Sequence, residues 1–174
     1  MNLEQLVLRA KRGDDEAFFQ AICLQKEKLY KVAFAFLRNE NDALEAIQEA
    51  TCRSYLKLSR LEQTAFFGTW LTRILIHVCI DEQKRQKRLL LDPQKLAQEQ
   101  KREADLHDRT VERVYIEEAL SRLTPTYRQV IILKYFEDRT IREIAVGLGQ
   151  PEGTIKTWLH KALGALRKDL GKGW

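Results

Sequence analysis

The chain has 174 residues, 44% of them hydrophobic and 32% charged: enough apolar content to bury real cores, and too much for a disordered chain. No apolar stretch approaches the roughly eighteen residues a membrane helix needs, and MNLEQLVLRAKRGDDEAF lacks the apolar core of a signal peptide, so a cytoplasmic protein is expected. The net charge of +5 is too small to name a polyanionic partner by itself; where the charge sits matters more.

Three prolines, eight glycines and the absence of long alternating runs favour an all-α fold. Cys23, Cys52 and Cys79 are far apart and form no CxxC pair, which reads as reduced, mostly buried thiols without zinc or redox chemistry. Leu3, Leu6, Val7 and Ala10 recur at helical spacing in a short segment that ends at Gly13. Asp14 or Asp15 then caps a longer helix to about Leu37, with Phe18, Ile22, Leu29, Ala33 and Phe36 on one side. Asn41 or Asp42 opens a third helix, DALEAIQEATCRSYLKL. Its inner face is Ala43, Ile47, Ala50, Ser54 and Leu58, while Asp42, Glu45 and Glu49 project from it.

An irregular piece, SRLEQTAFFG, leads into TWLTRILIHVCIDEQKRQKR, where Leu71, Ile74, Leu75 and Val78 form the buried stripe and the last turns are basic. From about Leu89 to Arg109 the pattern fades into Gln, a Pro and mixed charge, the composition of a linker. Order returns with VERVYIEEALSRL, after which Thr124 as N-cap and Pro125 at the first helical position start PTYRQVIILKYFED. That helix is apolar almost all round (Val130, Ile131, Ile132, Leu133, Phe136) and belongs at the centre of a small domain. The expected architecture is two small helical domains, residues 1–90 and 110–174, joined by a flexible linker over 91–109.

Thr140 with Glu143 forms a capping box, Ile141, Ile144, Ala145 and Leu148 follow at helical spacing, and Gly149 ends that helix. Pro151 sits near the start of the next, where its missing N–H costs little. There Ile155, Leu159, Ala162, Leu163 and Leu166 share a face. At about 100° per residue, Thr157, His160, Lys161, Gly164 and Lys168 fall opposite. The pattern is that of a helix-turn-helix, in which the first helix braces a second whose exposed side enters the major groove while cations neutralise phosphates. The bland alternative for this segment is a helical hairpin with a solvated basic face.

The run LTPTYRQVIILKYFEDRTIREIAVGLGQPEGTIKTWLHKALGALRK resembles the −35-binding domain of the extracytoplasmic-function (ECF) sigma factors of bacterial RNA polymerase. The matching marks are Leu123-x-Pro125, Tyr127-Arg128, Glu143-Ile144-Ala145 and Pro151-Glu152-Gly153-Thr154-Ile155-Lys156. The N-terminal half is similar to the same family independently. Gly13-Asp14, Ala17-Phe18 and Leu29-Tyr30 resemble its opening helices, and Asp42-Ala43 with Gln48-Glu49 its core-polymerase-binding helix. Phe67-x-x-Trp70-Leu71-x-Arg73-Ile74, Asp81 and the basic run Lys84 to Arg88 resemble its −10 segment.

The resemblance implies a dissociable initiation subunit that binds core polymerase, directs it to promoters with particular −35 and −10 elements, and opens the DNA. It implies no cofactor, metal or active site, a monomeric free protein, and control by an anti-sigma protein, often membrane-anchored. The −35 contacts it implies are Thr154, Lys156, Thr157, Trp158, His160, Lys161 and Lys168, and the polymerase contacts Asp42, Glu45, Gln48 and Glu49. Opening DNA requires pockets or aromatic platforms beside a positive groove. The loop Ser59 to Gly68 is the place to look, giving Arg60, Glu62, Gln63, Phe66 and Phe67, with Arg73, His77, Lys84, Arg85 and Arg88 on the following helix. Of the aromatics here, at least one phenylalanine and Trp70 are expected to pack inward.

Charge supports both halves. Arg38 to Cys52 holds one basic and four acidic residues, suiting a basic protein surface, whereas Trp70 to Leu90 holds five basic and two acidic ones, suiting a DNA backbone. A linker of about twenty residues reaches roughly 65–70 Å when extended. Elements some sixteen base pairs apart are separated by about 55 Å at 3.4 Å per pair, so the tether spans them.

Trp158 stands where the family usually has Arg, His77 where Asn is common, Leu44-Glu45 for an acidic pair, and Lys161 for Arg, so the promoter sequence is not carried over. Two rivals compete. His77 with Asp81, and the dipeptide His107-Asp108, are found as ligands in metal phosphohydrolases, but nothing supplies the remaining ligands. A helix-turn-helix regulator that binds duplex DNA without acting as a sigma subunit would carry a ligand pocket or dimerisation helix in its N-terminal half.

Overall fold

The structure, a computed structural model, describes residues 1–91 and 118–171. Apart from Leu91, the linker expected over 91–109 lies outside the described residues, as do His107-Asp108 and the start of the helix expected from Val111. The described part is helical, as the composition predicts, with no strand among the described residues.

The first helix, α1 (Leu3–Lys11), opens on a capping box: Asn2 Oδ1 accepts from Gln5 N at 2.9 Å and Gln5 Oε1 accepts from Asn2 N at 3.1 Å. Asp14, not Asp15, caps α2 (Asp15–Leu37) by accepting from Ala17 N at 2.9 Å. That bond, then the Arg9 guanidinium 2.6 Å away, holds the Asp14 carboxyl below its ordinary pKa. α2 ends on Arg38 in the left-handed region (φ 55°), and Asn39 immediately caps α3 (Glu40–Lys57), accepting from Asp42 N at 3.0 Å. The helix thus starts before the expected Asn41 or Asp42. A left-handed cap made by arginine rather than glycine carries no sequence signal.

Two single turns, Leu58–Arg60 and Thr64–Phe66, then lead into α4 (Phe67–Leu90). The N-terminal core is built from Leu29 and Val32 of α2, Ala43, Ala46 and Ala50 of α3, and Phe67, Leu71, Leu75 and Ile76 of α4. Alanines on the inner face of α3 let its backbone approach closely. Of the three thiols only Cys79 is buried, its pKa pushed up to about 12 by burial. Cys23 and Cys52 are exposed, which corrects the expectation of mostly buried cysteines; they sit on the outer faces of α2 and α3.

In the C-terminal part residues 118–122 are helical, and Thr124 caps α5 (Pro125–Ile131) as the sequence predicts. Over Ile132–Phe136 the turn widens to i→i+5 bonding, Glu137 N donating to Ile132 O at 3.2 Å, before Asp138 (φ 50°) reverses the chain. α6 (Ile141–Leu148) and α7 (Glu152–Leu170) complete the unit. Val130, Ile131 and Leu133 pack with Ile144, Ile155 and Leu159 in the second core.

The all-round apolarity of α5 and its extension has a different cause from the one expected. Ile132 is buried in the N-terminal core rather than its own, and Phe136 is 39% exposed beside an apolar groove of about 240 Å³. The two halves therefore touch. The buried Arg128 guanidinium lies 4.9 Å from the Phe36 ring centroid, and its Nη1 donates to Gln83 Oε1 at 3.3 Å.

Candidate nucleic-acid interface

α7 is positioned by α6. Thr140 Oγ1 accepts from Glu143 N at 3.2 Å while Glu143 Oε2 accepts from Thr140 N at 2.7 Å, fixing the start of α6. Burial alone would raise the Glu143 pKa, but the bonds to Thr140 and the Arg139 charge outweigh it and hold it below the ordinary value. Gly149 ends α6 at φ 63°, and Pro151 is the N-cap of α7. Ile155, Leu159 and Ala162 face the core. Lys156, Thr157, His160, Lys161, Arg167 and Lys168 are exposed, within an arc of about 140° at 100° per residue, and Thr154 is half-buried at its start. Trp158 lies off this arc, half-buried against the C-terminal core, so its bulk braces the helix instead of heading the exposed face.

The loop before α4 is held from below. Leu58 and Leu61 are buried, the Lys11 ammonium donates to Leu61 O, and Thr64 Oγ1 donates to Glu4 Oε1 at 3.1 Å. Arg60, Glu62 and Gln63 are exposed on this support, and Phe66 is half-buried. Phe67 is the phenylalanine that packs inward, as expected of at least one: its ring is fully buried, 6.0 Å from Trp70, which takes it out of the set of expected DNA contacts. Of the two phenylalanines, only Phe66 is partly exposed.

Arg73, His77, Lys84 and Arg88 recur at spacings that bring them to one stripe of α4. His77 has its pKa lowered by partial desolvation and by the Arg73 charge, against the pull of Asp81. Arg85 does not join this stripe. It lies about 100° round the helix, bonded to Glu82 at 2.6 Å, in a groove of about 400 Å³ between α3 and α4.

That groove carries Asp42, Glu45, Glu49, Asp81 and Glu82 against two arginines, Arg53 and Arg85. Arg53 is fastened to Glu49 at 2.6 Å and to Asp81 at 3.6 Å. Glu45, Gln48 and Glu49 are exposed as expected, but Asp42 does not project: it is buried, accepting from Gln86 Nε2 at 2.9 Å, and reaches the groove only as part of its wall. Sequence periodicity placed Asp42 on the outer face because the packing of α4's distal end against α3 is not visible in α3 alone. Among the described residues no group of three or more His, Cys, Asp or Glu could hold a metal ion, and no helix is long and apolar enough to cross a membrane.

Against known families, "Sigma-70 region 2" matches residues 25–89 and "Sigma-70, region 4" matches residues 113–166. The ECF RNA polymerase sigma factor SigW of Bacillus subtilis (strain 168) is 31% identical over 98% of this chain and 97% of its own length. The RNA polymerase sigma factor SigV of the same organism is 30% identical over 84% of this chain and 87% of its own. Among solved structures, CnrH in complex with the cytosolic domain of CnrY shares the fold with a TM-score of 0.73 at 21% identity, covering 97% of both chains. The sigma factor RpoE of Bartonella quintana, solved with the anti-sigma factor NepR, has a TM-score of 0.66 at 19% identity over 88% of this chain and 96% of its own.

Proposed function

This chain belongs to the ECF sigma factors of the sigma-70 family, and from that premise we propose that it binds core RNA polymerase in the cytoplasm and carries it to promoters. The polymerase supplies the chemistry; this chain supplies recognition and opening of DNA, and is not itself an enzyme. The exposed face of α7, from Thr154 to Lys168, reads the −35 element. The loop with Arg60, Glu62, Gln63 and Phe66, and the stripe Arg73, His77, Lys84 and Arg88, engage the −10 element. The acidic groove with Glu45, Gln48 and Glu49 receives a basic surface of the polymerase.

The observation that carries this reading is the presence in one chain of two unlike charged surfaces under two successive family matches, residues 25–89 and 113–166. CnrH and RpoE were solved bound to the cytosolic domain of CnrY and to the anti-sigma factor NepR. On that likeness we also propose that this chain is held inactive by an anti-sigma partner.

The test is transcription in vitro. The purified chain is mixed with sigma-free core polymerase and host genomic fragments, and new RNA starts are mapped. Discrete starts that share two upstream elements are the expected result. Absence of starts, with tight binding of a dimer of the chain to palindromic duplex DNA, would show a conventional regulator instead.

A further inference from the structure

The loop assigned to the −10 element does little to fix its own shape. It consists of two single turns, Leu58–Arg60 and Thr64–Phe66, neither of them capped by a side chain. Each is closed by a backbone bond of 3.1 Å, from Leu61 N to Leu58 O and from Phe66 N to Gln63 O. Turns of this kind are weak because their hydrogen-bond geometry is poor. Between them the backbone is extended at Leu61 (φ −72°, ψ 108°) and at Gln63 (φ −114°, ψ 108°). Glu62 and Gln63, the exposed pair, sit on this stretch.

The shape is imposed by α1. The Lys11 ammonium donates to Leu61 O, fifty positions on, and Thr64 Oγ1 donates at 3.1 Å to Glu4 Oε1, sixty positions back. Glu4 and Lys11 are two helical turns apart, so they share one face of α1 at a separation of about 10 Å. From Leu61 to Thr64 is three residues, and three extended residues also span about 10 Å. The two anchors thus hold this segment near its full stretch. α1 is itself well fixed, by the Asn2–Gln5 box at its start, by Arg9 on Asp14 at its end, and by Leu6, Val7 and Ala10 in the N-terminal core. It also lies ahead of residues 25–89, the part that matches Sigma-70 region 2. Neither anchor is fully buried, so groups freed by cutting one regain water and the fold is spared.

We propose that Glu4 and Lys11 are positioning residues for promoter opening: they stretch Leu61 to Thr64 between two anchors, so that Glu62 and Gln63 meet an unstacked −10 base in one fixed shape. This rests on the reading of that loop as the −10 contact. A preset loop loses less conformational freedom on meeting the right base, whereas a loop free to adapt also accommodates the wrong one.

The decisive variant is Glu4→Ala/Lys11→Met in full-length protein with sigma-free core polymerase. Open complexes are followed by permanganate reactivity on the mapped promoter and on copies with single-base changes in the −10 element. The variant should lose at least fivefold of the wild type's preference for its own element, while competing for core polymerase as the wild type does. Lys11→Arg, which keeps the charge and a donor, should retain the preference. Arg12→Met, which removes the neighbouring exposed charge, should retain it too. A double variant that keeps the full preference overturns the proposal. So does one that slows opening equally on every promoter, or an equal loss of preference in Arg12→Met, since either would mean charge and not position.

Hydrogen exchange of the free chain separates this inference from the sigma reading. The Leu61 and Phe66 amides should exchange at least tenfold faster in the double variant, with the amides of α2 unchanged. Thr64→Val, which cuts one anchor from the loop side and leaves α1 intact, should also speed them and serves if the double variant disturbs α1. Loop exchange equal to the wild type's in both variants overturns the anchoring, whether or not the chain starts transcription. Faster loop exchange in a chain that starts none would uphold the anchoring and overturn its −10 role.

Discussion

If α7 lies in the major groove with its exposed arc toward the backbone, Lys156 and Lys161 each neutralise a phosphate. The perturbation is Lys156→Ala/Lys161→Ala; both side chains are exposed, so stability should hold. Each lost phosphate contact lowers the slope of log affinity against log salt by about 0.9, so the pair lowers it by about 1.8. Between 50 and 200 mM salt the wild type should then lose roughly tenfold more affinity than the variant. The assay is fluorescence anisotropy of a labelled duplex carrying the −35 element, with full-length protein across that salt range. Lys26→Ala/Lys28→Ala, which removes two exposed charges from α2, serves as the control for net charge. An unchanged slope in the α7 variant, or an equal change in the control, would mean that this arc does not face DNA.

Other consequences follow from the same geometry. Glu45→Gln/Glu49→Gln should weaken binding to core polymerase, measured by competition against a labelled sigma factor, with little change in thermal stability because the Glu49–Arg53 pair it weakens is exposed. Asp42 is left intact because it is buried and bonded to Gln86. Phe67→Ala, which empties a fully buried site, should destabilise the N-terminal unit by about 3–5 kcal/mol in urea melts. Phe66→Ala should instead keep the melt and slow promoter opening, read by permanganate footprinting. Thr140→Ala removes a cap of α6 and should cost about 1 kcal/mol. Because the folded pKa of Glu143 lies below its unfolded value, its contribution is complete above about pH 4.3 and is lost as pH falls through the folded value. Glu143→Gln should therefore flatten that part of the acid-unfolding curve.

What the sequence made legible were features encoded within one element. The Thr140–Glu143 box, the Thr124-Pro125 start, Gly149 as a left-handed stop and the apolar face of α7 each depend on residues a few positions apart. Features that depend on a second element were not legible. The start of α3 hinged on an arginine taking a conformation usually left to glycine. Asp42 was turned inward by Gln86, forty-four positions away in the chain. Cys23 and Cys52 were assigned by residue type alone, which cannot tell the two faces of a helix apart.

The run VIILKYF shows how such a misreading arises and what it conceals. A helix with apolar residues all round looks, by pattern, like the centre of one domain. The same pattern is required of a helix that serves two cores at once. Val130, Ile131 and Leu133 fill one, Ile132 the other, and Phe136 remains at a surface groove. One isoleucine just past the end of α5, Ile132, thus carries the information that the two units meet, and Gly68 and Gly147 carry the information on how closely. In each case the residue type is common, and only its partner on the other unit gives it meaning. Ile132 is fully buried in the N-terminal core, the apolar half of a contact whose polar half is Thr72 with Glu137 and Arg73 with Gly147.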